Sequence, residues 1–569
     1  MTLQPVLFDD PAVALEIAVS VGDAKARGAV FTKASVVEFM LDLLGYTPDK
    51  PLWESRLLEP SFGAGGFLFA AAARLVESWV EAGRPGGESA LDYVICGVEL
   101  DEPTFRATQM ELAVRLVDAG LSEFIALRLS KKWLVNADFL IDNIATGFNF
   151  VVGNPPYVRQ ELIPDQLLAS YRTQFPTMVG RADLYVPFFE KALGLLAPEG
   201  RLSFICADAW TKNDYGRALR ELVTERFALD AYVDMYGIDA FEDSVGAYPS
   251  VTVISRSRPT GVRTATATST DPTALQSLVA ELTSPAATVL SLRRGGVPWL
   301  LQSNGRQAII SELESRLGTL EQVGCRVGIG VATGADKVFI GKLDELDVED
   351  SRKLPLAVNQ DICAGKFTWH GMGVVNPWDD NGLVDLSRYP RLAAYLEPHR
   401  AALSQRHTAK ADPARRWYKT IDRVTSSLTW QPKLLVPDIR GDGDAISYDA
   451  GTAYPHHNLY FITANSTEGG LLCGSDAWNL QALKALLRSG IARLFIDAYA
   501  VRIGGGYLRF QAQYLRRIRL PRWEAIDQDT QATLTEAGTA GMKVSSDLLD
   551  RVYGLAAGSL SFINEWERT

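Results

Sequence analysis

Short apolar runs alternate with longer helical patterns through the first ~255 residues, and this alternation limits the possible folds more than any other feature. The strand candidates are Arg56–Glu59, Tyr93–Val98, Phe148–Val152, Arg201–Ile205 and Ser250–Ile254. Between them lie helical stretches such as Phe67–Ala82 and Leu184–Leu196. The pattern predicts an α/β unit built on a mostly parallel, doubly wound sheet. From Ser255 to about Thr273 the chain is rich in Ser, Thr, Arg, Pro and Gly, which places a domain boundary there. A helical-looking connector, Ala274–Leu292, follows. Beyond about Gly318, short strand patterns mix with long Pro- and Asp-containing loops, predicting an α+β domain closed by a helical segment at Asp529–Leu555.

At 569 residues the chain is too long for one ordinary core, in keeping with two or three domains. No apolar run approaches the ~20 residues needed to span a bilayer, and no secretion signal is read at Met1–Pro11. The five cysteines have no C-x-x-C spacing and the five histidines show no metal-ligand pattern, so no metal is expected and a reducing cytoplasm fits. A net charge of −11 argues on its face against a polyanionic partner. Charge is screened within ~10 Å, however, so local clustering of basic residues decides that question.

Three stretches suggest a ligand site at the strand ends. Leu57–Leu58–Glu59–Pro60–Ser61–Phe62–Gly63–Ala64–Gly65–Gly66 reads as a buried strand, a glycine loop and a helix start, where backbone can approach a ligand. Glu99, at the end of the next strand, has the placement of a carboxylate that accepts ribose hydroxyls. Asp138 and Phe139 form a third candidate, an acceptor beside a stacking face. The most informative motif is Val151–Val152–Gly153–Asn154–Pro155–Pro156–Tyr157, an apolar strand ending in a stiff polar and aromatic turn. The Asn154 side-chain oxygen and the Pro155 carbonyl are two acceptors suited to an amino group whose lone pair is delocalised into a ring. Two prolines fix φ and hold the second acceptor, and Tyr157 offers a face for a flat ring.

In this order, these motifs resemble the gamma-class adenine-N6 DNA methyltransferases of restriction-modification systems. The resemblance rests on Gly28–Ala29–Val30–Phe31–Thr32, then Glu59–Pro60–x–x–Gly63–x–Gly65, Glu99, Asp138–Phe139 and Asn154–Pro155–Pro156–Tyr157, followed by Asp183–Phe189 and Pro198–Leu202. It implies a Rossmann-like methyltransferase sheet in residues 1–255, a linker and connector in 256–317 and a target-recognition domain in 318–569. It further implies S-adenosylmethionine as cofactor, with Phe31 and Thr32 near its methionine end, Glu59, Pro60, Gly63 and Gly65 along its middle, Glu99 on the ribose, Asp138 and Phe139 on the adenine, and Asn154 at the junction with the substrate. The sequence departs from the family at Lys33, where proline is frequent. A second aromatic against the flipped base is expected before the last strand; Phe241 and Tyr248 both precede it, and Phe241 is preferred.

The second half carries looser likenesses to the same family at Gly328–Ile340, Trp417–Thr420, Gln431–Pro437 and Tyr507–Ile518. Between Val501 and Trp523 there are six arginines and no acid, with Tyr507, Phe510 and Tyr514 interleaved. Together with a basic stretch from Arg400 to Arg423, this predicts contact with duplex DNA through Lys419, Arg502, Arg509, Arg516 and Arg517. The competing expectation is that these arginines pair with acids elsewhere. Expected partners are double-stranded DNA and a separate restriction endonuclease or other defence-system subunits, with the methyltransferase acting as a monomer. No fused nuclease is expected, because only about thirty residues precede Phe31. Rival readings are a protein glutamine methyltransferase, an RNA adenine methyltransferase, and a catalytically silent DNA-binding module.

Overall fold

The apolar runs of the first half lie side by side in one sheet. The computed structural model describes residues 30–242, 249–258, 261–301, 306–409, 416–440, 445–464, 477–500 and 508–563. The chain divides into two units, Met1–Asn304 and Gly305–Thr569. In the first unit the strands are β1 (Leu57–Glu59), β2 (Ile95–Glu99), β3 (Leu134–Asn136), β4 (Phe148–Gly153), β5 (Leu196–Ala207), β6 (Ala228–Asp234), β7 (Pro249–Ser255), β8 (Val262–Thr266) and β9 (Val289–Leu290). They form a nine-stranded sheet in the order β3-β2-β1-β4-β5-β7-β6-β8-β9. The helices are α1 (Ala34–Leu44), α2 (Gly66–Glu81), α3 (Glu102–Asp118), α4 (Glu123–Trp133), α5 (Asp165–Gln174), α6 (Tyr185–Gly194), α7 (Arg217–Arg226) and α8 (Pro272–Thr283).

Successive strand residues point to opposite faces, and both faces are buried. Leu57, Val152 and Ile205 pack with α1, α2, α3, α4 and α8. Leu58, Val151 and Phe204 pack with α5, α6 and α7 on the other face. This two-sided burial is why the strands read as continuous apolar runs.

The sheet is mostly parallel, as expected: five of its eight strand pairings are parallel, while β7 runs antiparallel to both β5 and β6, and β9 antiparallel to β8. One boundary needs correction: the first unit continues well past residue 255. β8 pairs in parallel with β6, from Ala231↔Arg263 to Asp234↔Thr266, and α8 buries Leu275 and Leu282 in the first core. Trp299 is buried against Trp210, with ring centroids 5.2 Å apart. The segment read as a linker on its Ser and Thr content is in part a strand near the sheet edge, where β-branched Thr is well suited.

The second unit is α+β. One four-stranded antiparallel sheet joins Cys325–Ile329, Leu459–Ala464, Lys433–Pro437 and Ser447–Asp449. A second joins Ile340–Lys342, Met372–Val375, Lys353–Ala357 and Tyr454–Pro455. The late helical pattern is two helices, Gln528–Ala540 and Ser546–Tyr553. Gly541 breaks it at φ +72°, and the Ser545 side chain caps the second helix by accepting from the Leu548 amide.

An ion pair of Lys433 with Asp449 at 2.8 Å is wholly buried in this unit. The Lys433 ammonium also donates to the carbonyls of Leu428 (2.9 Å), Thr429 (3.2 Å) and Gln431 (2.9 Å). Removing one partner strands the other charge in the interior. Lys433→Met is therefore expected to cost about 3–5 kcal/mol in urea unfolding. Lys433→Met/Asp449→Asn should recover part of that loss; equal stability of Lys433→Met and wild type would refute the account.

Candidate active site

From β1 the sheet grows outward through β2 to β3 and then resumes on the other side at β4, so a switch point lies between β1 and β4. Ligands of open α/β sheets bind beyond the carboxyl ends of strands at such points. A cavity of about 510 Å³ opens there. Glu59, Glu99, Asp138 and Asn154, which follow or end four different strands, all line it.

The glycine loop forms one wall. Gly63 and Gly65 have φ of +52° and +84°, and Gly65 caps α2 from the left-handed region. A Cβ on Gly65 would lie 2.5 Å from the Phe69 ring, which would have to move aside, and the positive φ itself disfavours any side chain there. Gly63 and Gly66 line the cavity. The loop is tied to the second strand end, because the Gly63 amide donates to Glu99 Oε2 at 2.9 Å. Glu99 Oε1 accepts from the Asp101 amide at 2.9 Å. Each carboxylate oxygen thus spends one acceptor site on backbone and retains capacity for a hydroxyl donor.

Three buried acids share the cavity wall, and desolvation raises the pKa of each. Glu59 is only 1% exposed; burial first, and the Glu99 charge second, hold it well above the ordinary carboxylate range. Its Oε2 is buried with no hydrogen-bond partner among the described residues. Asp138 is raised by burial but accepts from the Tyr171 hydroxyl at 2.7 Å and the Leu140 amide at 2.8 Å. Phe139 is buried against Phe188, with ring centroids 5.1 Å apart.

Tyr171 was not foreseen. It comes from α5, and Leu162, Ile163, Pro164 and Leu167 from the same stretch also line the cavity. The available signal was the Leu167/Tyr171 pair at i, i+4, an apolar stripe that by itself reads as core.

Asn154 follows β4 directly. Its amide nitrogen donates to the Val30 carbonyl (2.9 Å) and the Thr32 hydroxyl (3.2 Å). The carbonyl can only accept, so the bond to Val30 sets the orientation of the amide. Asn154 Oδ1 is then a buried acceptor with no donor among the described residues. The segment that holds Asn154 is itself paired: Thr32 bridges Phe241, the Lys33 amide donates to the Ala240 carbonyl at 3.1 Å, and the Glu242 amide donates to the Phe31 carbonyl at 2.9 Å. Lys33, the departure from the family pattern, pairs with Asp239 at 2.8 Å.

Phe31, Thr32, Pro60 and Pro156 line the cavity, whereas Pro155, between Asn154 and Pro156, is buried and is not among the lining residues. Tyr157 and Phe241 meet edge to face at 6.1 Å; neither is among the residues that line the cavity, although their neighbours Pro156, Val158 and Glu242 are. Phe241 is 4% exposed, and the Tyr157 hydroxyl donates to the Ile205 carbonyl at 3.4 Å. Tyr248 lies outside the described residues, as do Gly28 and Ala29.

In the second unit, Arg509 is held by the Asp438 carboxylate. Arg516 donates to Glu321 at 2.9 Å and to the Val327 carbonyl at 2.9 Å. Arg517 lies over the Tyr499 ring at 4.6 Å, and Lys419 is half-buried. Arg502 and Tyr507, with Gly504–Gly506, lie outside the described residues, as do Lys410 and Arg415. Two members of the other basic stretch are internal braces: Arg406 donates to the carbonyls of Thr333, Trp417 and Lys419, and Arg423 to those of Asp379 and Asp380.

Residues 95–241 match the family model of the Eco57I restriction-modification methylase. Over nearly its full length the chain is similar to type II methyltransferase M.PaeR7I of Pseudomonas aeruginosa, with 47% identity covering 97% of this chain and 95% of that protein. Type II methyltransferase M.XhoI of Xanthomonas vasicola is 46% identical, covering 93% of this chain and 97% of that protein. Among solved structures, the type IIL restriction-modification enzyme MmeI, determined in complex with DNA, superposes with a TM-score of 0.61 at 14% identity, over 98% of this chain and 81% of that one. At that identity the likeness is one of fold.

Burial of Glu59 has a measurable consequence. Below its ordinary pKa of 4.5 the group is protonated in both the folded and the unfolded chain and costs nothing. As pH rises from there toward the raised folded value, the unfolded chain releases its proton first, so stability falls. Glu59→Gln should therefore raise the urea midpoint relative to wild type at pH 8, with the difference vanishing near pH 4. An equal offset at both pH values would show that the carboxylate is not the cause.

Proposed function

The chain belongs to the type II methyltransferases of restriction-modification systems, and on that premise we propose that it methylates the exocyclic N6 amino group of adenine at a specific site in duplex DNA, acting on a base turned out of the helix. The observation that carries this reading is the Asn154 side chain: its amide nitrogen is bonded to Val30 and Thr32, and its buried oxygen, on the cavity wall, has no donor among the described residues. An aromatic amine is a poor nucleophile because its lone pair is delocalised. Accepting an N–H bond at Asn154 Oδ1, and a second at the Pro155 carbonyl, draws the nitrogen toward tetrahedral geometry and localises that pair. The two prolines hold the second acceptor, so its orientation costs little when substrate enters. Tyr157, backed by Phe241, is the aromatic group assigned to the extruded base.

The cavity suits S-adenosylmethionine. Its volume of about 510 Å³ lies in the range of small-molecule sites, ~300–1,000 Å³. The positive-φ glycines admit close backbone approach, and the acids around Glu59 favour a cationic ligand. In this reading Phe31 and Thr32 take the methionine end, with Asn154 beside them. Glu59, Pro60, Gly63 and Gly65 take the middle, Glu99 the ribose hydroxyls, and Asp138 with Phe139 the adenine. When bound, this cofactor supplies an electrophilic methyl group.

For the second unit we assign target recognition. Arg517 and Lys419 are the first candidates for phosphate contact. Arg509 and Arg516 would have to exchange Asp438 and Glu321 for DNA, and Arg502 completes the proposed set. The protein acts as a monomer in the cytoplasm, beside a separate restriction endonuclease or other defence-system subunits. Among the described residues no helix is long and apolar enough to cross a membrane.

Labelled cofactor with duplex DNA, followed by nucleoside mass spectrometry, tests the reading. N6-methyladenine is expected; label in cytosine, or in RNA or protein alone, overturns it. Asn154→Ala should lower turnover on the order of 10²–10³-fold, the typical effect of removing one such preorganised contact, with cofactor affinity retained within a few-fold. Arg517→Ala and Lys419→Ala should each weaken DNA binding uniformly across sequences and reduce the salt slope by about 1.

A further inference from the structure

Asp336, His456 and His457 come together in the second unit, although 120 residues separate the aspartate from the first histidine. We propose that they form a binding site for a divalent transition-metal ion of the zinc type.

The distances favour a metal over a simple hydrogen bond. Asp336 Oδ2 lies 3.4 Å from His456 Nε2. That is long for N–H···O, which centres near ~2.9–3.0 Å. It matches the ligand–ligand edge of a tetrahedral zinc site, about 3.3 Å for bonds of ~2.0–2.1 Å. One ligand atom from each of the three residues falls within 4.8 Å of the others. Bringing the widest pair to a tetrahedral edge takes a shift of about 1.5 Å at most, within reach of side-chain rotation.

The chemistry of the orphaned atoms agrees. His456 Nε2 and His457 Nδ1 are both buried; among the described residues His457 Nδ1 has no hydrogen-bond partner, and His456 Nε2 has only the long contact to Asp336. A cation held between the imidazoles and the carboxylate would complete the coordination of these poorly satisfied groups. Two imidazoles and one carboxylate suit zinc, cobalt or nickel rather than calcium or magnesium, with water as the fourth ligand.

The ligands are also held in advance. The Thr333 hydroxyl donates to Asp336 Oδ1 at 2.5 Å, which leaves Oδ2 for the ion, and Thr333 is itself fully buried. The His456 amide donates to the Ala357 carbonyl at 2.9 Å, and the His457 amide to the Val331 carbonyl at 3.0 Å. Segments 330–336 and 455–457 touch backbone to backbone, since a Cβ on Gly330 would lie 2.2 Å from the His456 carbonyl oxygen. An ion here cross-links the Gly330–Asp336 turn to the strand-end histidines and stabilises the unit in proportion to its occupancy.

The test uses the full-length protein, stripped with EDTA and dialysed. Titration with Zn²⁺ in a calorimeter should show one equivalent bound and a raised unfolding midpoint, whereas Mg²⁺ and Ca²⁺ give neither. Co²⁺ should give the visible d–d bands of a tetrahedral site without thiolate charge transfer. Asp336→Asn, at an exposed carboxylate, and His457→Ala should each lower Zn²⁺ affinity at least tenfold and abolish the midpoint shift. Absence of stoichiometric binding to wild type overturns the proposal, as does unchanged binding in Asp336→Asn or a Co²⁺ spectrum with thiolate bands. If His457→Ala does not fold, the wild-type Co²⁺ spectrum and Asp336→Asn still decide it.

Discussion

The site depends on how the Asn154 amide is held. A free carboxamide can present either its oxygen or its NH₂ to a cavity, and only the oxygen can receive an amine. The bonds from its nitrogen to Val30 and Thr32 remove that ambiguity. They exist because residues 31–33 pair with 240–242, far away in the chain, and because β4 ends next to β1. Sheet order, strand pairing and side-chain chemistry are therefore one constraint: displace the 31–33 segment and the acceptor loses its orientation.

The electrostatics of the cavity follow from the same geometry. Strand ends packed side by side bring Glu59, Glu99 and Asp138 into one poorly solvated space. Each carboxylate costs stability there, and only part of that cost is offset by the Gly63, Asp101 and Leu140 amides and the Tyr171 hydroxyl. A protein selected for stability alone would not place three acids together. The arrangement is intelligible as readiness for a ligand that brings positive charge and hydrogen-bond donors, the usual exchange of stability for function.

Charge in the second unit serves structure more than its composition suggests. The arginine-rich stretch without acids finds its acids elsewhere: Asp438 is 71 residues from Arg509, and Glu321 is 195 residues from Arg516. Arg406 and Arg423 spend their donors on backbone carbonyls, fastening loops that have no ladder of their own. A basic run in the sequence is thus an upper bound on the cations left to meet a phosphate.

What the sequence determined by itself is local. Apolar runs marked β1, β2, β4, β5 and β7, the glycines marked the turn into α2, and Asn154–Pro155–Pro156–Tyr157 was legible as a stiff polar turn at a strand end. Each is carried by neighbouring residues whose conformational limits act over a few bonds. Strands without such a signature escaped notice: β3 has three residues, β6 carries two aspartates among its apolar positions, and β8 is Thr-rich. Tertiary structure alone decided the antiparallel insertion of β7, the extension of the first unit past residue 255, the Tyr171 contact with Asp138, the edge-on meeting of Tyr157 with Phe241, and the acids that claim Arg509 and Arg516. These depend on which distant segments pack together, and pairing energy between distant segments leaves no mark on the spacing of residues within either one.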